Sequence, residues 1–126
     1  MNKFYPPDPE LTIDFLYLEA RFLIIIMVYY TQLIFVKQGS EDAFNSFEEK
    51  VLPLLKDHNG ELVYRIRPNQ NSIIESSRKL PYEIHLVTFG SKADFEHYKN
   101  DPKRLSFMAI KNDSVEKVIL IEGVEI

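Results

Sequence analysis

Between Met27 and Ile126 the chain alternates apolar runs with amphipathic stretches, and the spacing of the apolar positions sorts them into strands and helices. Val28–Val36 is apolar on both alternating sets, which predicts a strand buried on both faces. Gly39 and Ser40 break it. The spacing of Ala43, Phe44, Phe47, Val51, Leu54 and Leu55 predicts a helix over 41–58 with one apolar stripe. Ser40 is placed to cap that helix, and Glu41 and Asp42 suit the positive end of its dipole. Pro53 removes a backbone donor and predicts a kink, and Gly60 suits a left-handed position after the helix. A second strand is expected over 61–67, a polar loop over 68–81 and a third strand over 82–89. Ser91 through Asp94 has the pattern of a capping box opening a second helix, with Phe95 and Tyr98 toward the core. Asp101 and Pro102 open a further turn, as cap and first helical residue, whose apolar side is Leu105, Phe107, Met108 and Ile110. A fourth strand over 115–121 precedes Gly123 and a short tail that could extend to a neighbouring chain.

The order β-α-β-β-α-β is the split βαβ, or ferredoxin-like, arrangement of the α+β class. Right-handed crossovers place both helices on one face of a four-stranded antiparallel sheet. Because the first strand is apolar on both sides, the other face needs cover as well. A second copy of the sheet supplies it most simply, so an isologous homodimer is expected.

Two stretches carry a family resemblance. The first is Lys56 to Arg65, a helix end at Gly60 leading into a strand that carries Arg. The second runs from Pro81 to Phe89 and on through Ala93 to Tyr98, an apolar strand ending in Phe followed by a helix with an aromatic pair. Together they resemble the dimeric α+β barrel superfamily over about residues 27–122, and among its members those with no assigned role. The outline is also similar to that of the antibiotic-biosynthesis monooxygenases, which work without a cofactor. The superfamily spans oxygenases, isomerases, lyases, haem-degrading enzymes and proteins of no known activity, so the resemblance implies a fold and not a reaction. The chain departs from the pattern in having Phe95 and Tyr98 where tryptophan is often found, and in its N-terminal extension.

Residues 1–26 read differently from the domain at 27–126. Pro6, Pro7 and Pro9 open an extended segment, and a strongly apolar run follows, interrupted by Asp14, Glu19 and Arg21. The charge-free run from Phe22 to Val36 is shorter than the roughly 20 residues a spanning helix needs, so no membrane span is expected. The preferred reading is an amphipathic helix over 11–21 packed on the domain or a partner. An upstream translated extension before a start at Met27 comes second, and a membrane-surface anchor third.

Composition narrows the function classes. With no cysteine the chain has no disulfide, thiolate nucleophile or cysteine zinc site, which fits a reducing compartment and a cytoplasmic location. A net charge of −4 and the lack of a basic stripe argue against nucleic acid. Glycine-rich phosphate loops and serine elbows are missing, and Glu83-x-His85 is too sparse for a metal motif, so neither metal nor cofactor is expected. Asn112-Asp113-Ser114 fits a glycosylation acceptor.

Candidate chemistry collects on the second and third strands. Strict alternation sets Leu62, Tyr64 and Ile66 against Val63, Arg65 and Arg67, and Tyr82, Ile84 and Leu86 against Glu83, His85 and Val87. With the more apolar sets toward the helices, Arg65, Arg67, Glu83 and His85 share the other face, and Arg65 opposite Glu83 would form a cross-strand charge pair. In the functional reading His85, with Glu83, is the general acid or base, and Arg65 and Arg67 hold a small anionic or aromatic ligand, with Tyr64 and Tyr82 offering hydroxyls. The plainer reading, preferred on sequence grounds, is a hydrated ion-pair network at a subunit interface. His58 fits a helix C-terminus and His97 an exposed helix face. Three functions follow: a homodimeric small-molecule-binding protein with a polar cleft near Arg65 and His85, a cofactor-independent monooxygenase or isomerase acting on an aromatic or enolisable substrate, and a non-catalytic structural or partner-binding dimer.

Overall fold

The structure is a computed structural model, and it describes residues 27–126. The expectations for the N-terminal 26 residues lie outside the described residues. Strand β1 (Val28–Val36) is followed by helix α1 (Glu41–Val51), which passes into a 3-10 segment over Leu52–His58. Strand β2 (Gly60–Ile66), a short turn over Gln70–Ser72 and strand β3 (Glu83–Phe89) come next. Helices α2 (Lys92–Lys99), α3 (Pro102–Leu105) and α4 (Met108–Ser114) then lead into strand β4 (Val115–Gly123). The four strands form one antiparallel sheet in the order β2-β3-β1-β4, the ferredoxin-like arrangement.

Local chemistry accounts for most of the boundaries. Pro53 has no N–H to continue the α-helical ladder, so the chain tightens into 3-10 geometry from Leu52 rather than kinking within one helix. Asn59, not Gly60, takes the left-handed turn, with φ of 53°. Gly60 is required for a different reason: a Cβ there would lie 2.7 Å from Phe89 Cε1 and 2.9 Å from the Leu55 carbonyl oxygen. Ser91 caps α2 by accepting from the Asp94 N–H at 3.1 Å, and Asp101 caps α3 by accepting from the Lys103 N–H at 2.8 Å. Ser40 makes no side-chain cap on α1; its carbonyl accepts from the Phe44 N–H instead.

Two apolar clusters lie between the sheet and the helices. Tyr30, Leu55, Val87, Phe89 and Phe95 form one, with the Tyr30 and Phe95 rings 3.9 Å apart, and Ile34, Val36 and Phe44 form the other. Ser114 is buried at the end of α4 and donates to the Ile110 carbonyl at 2.7 Å, so the glycosylation-like triplet is folded into a helix.

Strand β2 does not alternate strictly. A bulge between Leu62 and Tyr64 lets Leu62 pair with Val87 and Arg65 pair with His85. Leu62 and Arg65 therefore share the helix-facing side, while Tyr64 and Ile66 face away.

Candidate functional site

The polar set of β3 faces the helices, opposite to the expectation from alternation. Glu83 and His85 are 1% and 2% exposed, beneath helix α1. The second sheet face carries the apolar set instead. Pairing fixes this geometry: Gln32 lies opposite both His85 and Leu120, so Gln32, His85 and Leu120 form one helix-facing row across the sheet. Arg65 extends that row opposite His85, not opposite Glu83 as a charge-pair register required.

Glu83 is held from three directions. Arg65 Nε donates to its Oε2 at 3.0 Å, Arg67 Nη2 donates to its Oε1 at 2.7 Å, and His85 Nε2 lies 2.5 Å from Oε2. Burial alone would raise this carboxyl, but the hydrogen bonds from His85, Arg65 and Arg67 outweigh it and hold the group down at about 2. Glu83 is thus a fixed anion that orients the His85 ring. Both arginines are committed to it. Arg67 also donates to Asn45 Oδ1 at 3.0 Å and stacks on the Tyr82 ring at 4.4 Å, and Asn45 Nδ2 donates to the Tyr82 hydroxyl at 3.3 Å. Tyr82 accordingly braces the outer edge of the network. Tyr64 is 60% exposed on the far face and takes no part in it.

Glu48 of α1 is a site residue that the sequence reading passed over. It is 5% exposed and makes no hydrogen bond or ion pair with a described residue. Burial pushes its carboxyl up, with Glu83 adding to the effect and His85 opposing it. Its signal was present: Glu48 falls within the stripe of Phe44, Phe47, Val51 and Leu55, where an acid interrupts apolar spacing. Donor atoms of Glu48, Glu83 and His85 lie within 4.8 Å of one another. That trio is ill suited to a cation, because both Glu83 oxygens already accept from guanidinium groups whose charge would repel one.

The three groups stand beside a cavity of about 230 Å³ between sheet and helices, lined by His85 and Glu48 among others. Its walls are mostly aromatic and aliphatic, including Tyr30, Phe47, Phe95 and Val118. The polar lining is Gln32, Glu48, His85, Tyr98, Lys99, Arg104 and Lys111. Arg65 and Arg67 do not line it. The other two histidines stand apart from it: His58 pairs with Asp101 at 2.7 Å, and His97 is exposed on α2.

No family model matches the chain, and no curated protein does. Solved structures do. A protein of unknown function from Rhodopseudomonas palustris matches at 14% identity and TM-score 0.70, over 99% of this chain and 98% of that one. A dimeric protein of unknown function with a ferredoxin-like fold, from Bacteroides fragilis, matches at 13% identity and TM-score 0.59, over 79% and 96%. A hydroxynitrile lyase from Passiflora edulis matches at 15% identity and TM-score 0.63, over 81% and 95%. At these identities the likeness establishes the ferredoxin-like fold expected from the sequence. No described helix is long and apolar enough to cross a membrane.

Proposed function

We propose that the protein is a homodimeric small-molecule-binding protein whose ligand chamber is the space between sheet and helices, with His85 at its polar wall. The observation that carries this reading is Glu48, a largely buried acid at the wall of that space with no hydrogen-bond or charge partner among the described residues, beside a His85 ring fixed by Glu83. An acid at the wall of a mostly apolar space offers a bound molecule a placed hydrogen-bond partner. The cleft expected near Arg65 and His85 thereby moves to the helix side, and the arginines become the brace behind the histidine. A cysteine-free chain is consistent with a cytoplasmic setting.

Pairing of two copies follows from the opposite face. Tyr64, Ile66, Ile119 and Ile121 are 60%, 48%, 39% and 52% exposed there, and the strand pairing lays them side by side with Leu33, Ile84 and Leu86. A contiguous apolar patch of this kind marks an interface. The dimeric Bacteroides fragilis protein of the same fold supports a second copy as the occupant.

The two carboxyls favour a second, catalytic reading. Glu48 is pushed up and Glu83 held down at about 2, the separation that distinguishes a proton donor from a fixed anion. His85 would remove a proton from the carbon beside a carbonyl, the electron pair would move to the carbonyl oxygen, and Glu48 would protonate that oxygen to give the enol. This is isomerase chemistry without a cofactor.

Calorimetric titration with 1-phenylpropan-2-one, a small aromatic ketone, tests the chamber. Binding should weaken at least tenfold in His85→Ala, and equal affinity in the variant would rule the site out. Proton NMR in deuterium oxide tests the catalytic step. Exchange beside the carbonyl should be accelerated by the protein and lost in Glu48→Gln, and exchange no faster than in buffer leaves binding alone.

A further inference from the structure

Besides Glu48, two further charged groups line the same chamber without an ion-pair partner among the described residues. Arg104 of α3 and Lys111 of α4 both line it, and neither makes an ion pair with a described residue. Arg104 Nε is buried with no hydrogen-bond partner among the described residues, although its neighbours fix the side chain: Nη1 donates to the Lys99 carbonyl at 3.2 Å, and the guanidinium lies 5.1 Å from the centre of the Tyr98 ring. Lys111 is half-buried, and burial together with the adjacent Arg104 charge pushes its ammonium down, with Glu48 opposing. Two neighbouring cations at a mostly apolar space repel each other, and a buried N–H without an acceptor carries its own penalty. Water in the chamber can hydrogen-bond the parts of Arg104 and Lys111 that line it, but a carboxylate does so while adding a negative charge that offsets both cations.

We propose that Arg104 and Lys111 form an anion-recognising end of the chamber, so that its ligand is a small aromatic or cyclic carboxylic acid. The carboxylate meets these two side chains, the ring lies against Tyr30, Phe47 and Phe95, and a carbonyl or hydroxyl reaches His85 and Glu48. The anion-binding role thus passes from Arg65 and Arg67, both committed to Glu83, to Lys111 and to Arg104, which the sequence pattern offers only as a surface partner for Asp101 and which leaves Asp101 to His58. The inference rests on the chamber reading above, and it adds the charge and the orientation of the ligand.

A pair of probes differing in one group separates the two claims. 2-Oxo-3-phenylpropanoate carries a carboxylate where 1-phenylpropan-2-one carries a methyl group, on the same aromatic ketone skeleton. The wild-type protein should bind the acid at least tenfold more tightly than the ketone by calorimetry. In Arg104→Gln combined with Lys111→Met that preference should vanish while the ketone binds as before. Lys111→Met alone, which leaves the Tyr98 stack in place, should reduce the preference in part, and it serves as the test if the double variant melts earlier than wild type. Equal binding of acid and ketone by the wild type overturns the anion end and leaves the chamber standing. A preference that survives in the variants also overturns it, since the carboxylate is then held elsewhere. Binding of neither probe overturns the chamber reading and this inference together.

Discussion

On the helix side of the sheet Glu83 and His85 are buried to 2% or less, whereas on the other side Tyr64 and Ile66 of the adjacent strand are 60% and 48% exposed. The usual distribution would put the charged pair toward water and the apolar pair toward the helices. Inversion of this kind has a physical cost on each face. The inner face must compensate buried charge, which it does with two guanidiniums on one carboxylate. The outer face must hide apolar surface, which it can do only against something outside the described domain. On the function proposed above, the inner polarity serves a ligand and the outer apolar surface serves a partner, and each half of that statement can be broken separately.

Removing the inner charge should have the largest effect. Glu83→Gln leaves Arg65 and Arg67 without their shared anion and frees the His85 ring, and should cost about 3 kcal/mol in urea denaturation at neutral pH. The figure sits at the low end for a broken buried pair because both arginines can turn partly to water. The pH dependence follows from the same group. Its folded value of about 2 lies below the 4.5 of the free side chain, so its contribution is complete above about 4.5 and is lost as pH falls toward 2. Wild type should therefore lose stability through that window and converge on Glu83→Gln. Parallel curves for the two proteins would show that Glu83 is not the acid-sensitive brace.

Strand order and the placement of charge were legible to different degrees. The apolar runs of β1 and β3 are long, β-branched and bounded by glycine, so their extents follow from the sequence nearly to the residue. The shared face of Arg65 and His85 also followed, since β3 and the part of β2 from Tyr64 onward repeat every two residues. Which side that face looks toward did not follow, for an identifiable reason. Strict alternation groups Leu62 with Tyr64 and Ile66, and the bulge at Val63 regroups Leu62 with Arg65. A bulge on a strand of ordinary composition leaves no mark in a hydrophobic pattern. Arg104 and Lys111 were illegible for another reason: they reach the chamber only through the path of two short helices, where the chain has fewer than two turns in which to show a period.

Disturbing the outer face should have an intermediate effect and leave the inner one untouched. Ile121→Lys places a charge in the patch formed with Ile119, Leu33 and Tyr64, at a position 52% exposed in the single chain. The domain should keep its thermal unfolding midpoint at high dilution, while its dimer dissociation constant rises at least tenfold by sedimentation equilibrium. A wild type that sediments as a monomer at micromolar concentration would remove the partner half of the comparison. A variant that remains dimeric would move the interface elsewhere.

The smallest expected effect has the most informative sign. Glu48 is buried without a partner among the described residues, and burial raises its carboxyl above the ordinary range. A raised acid binds its proton more tightly in the folded chain, so its contribution is present below the unfolded value and declines as pH rises through the folded one. Glu48→Gln keeps the shape and removes the ionisation, and so should stabilise the protein at pH 7 by about 1 kcal/mol, with the gain vanishing below about pH 4. Matched urea titrations at the two pH values check it. Stabilisation by the same change that abolishes proton exchange on a ketone would mark Glu48 as an acid kept for its chemistry at the expense of the fold. Destabilisation at pH 7 would mean that Glu48 does have a partner, and the inner face would then be a closed ion network with nothing left over for a ligand.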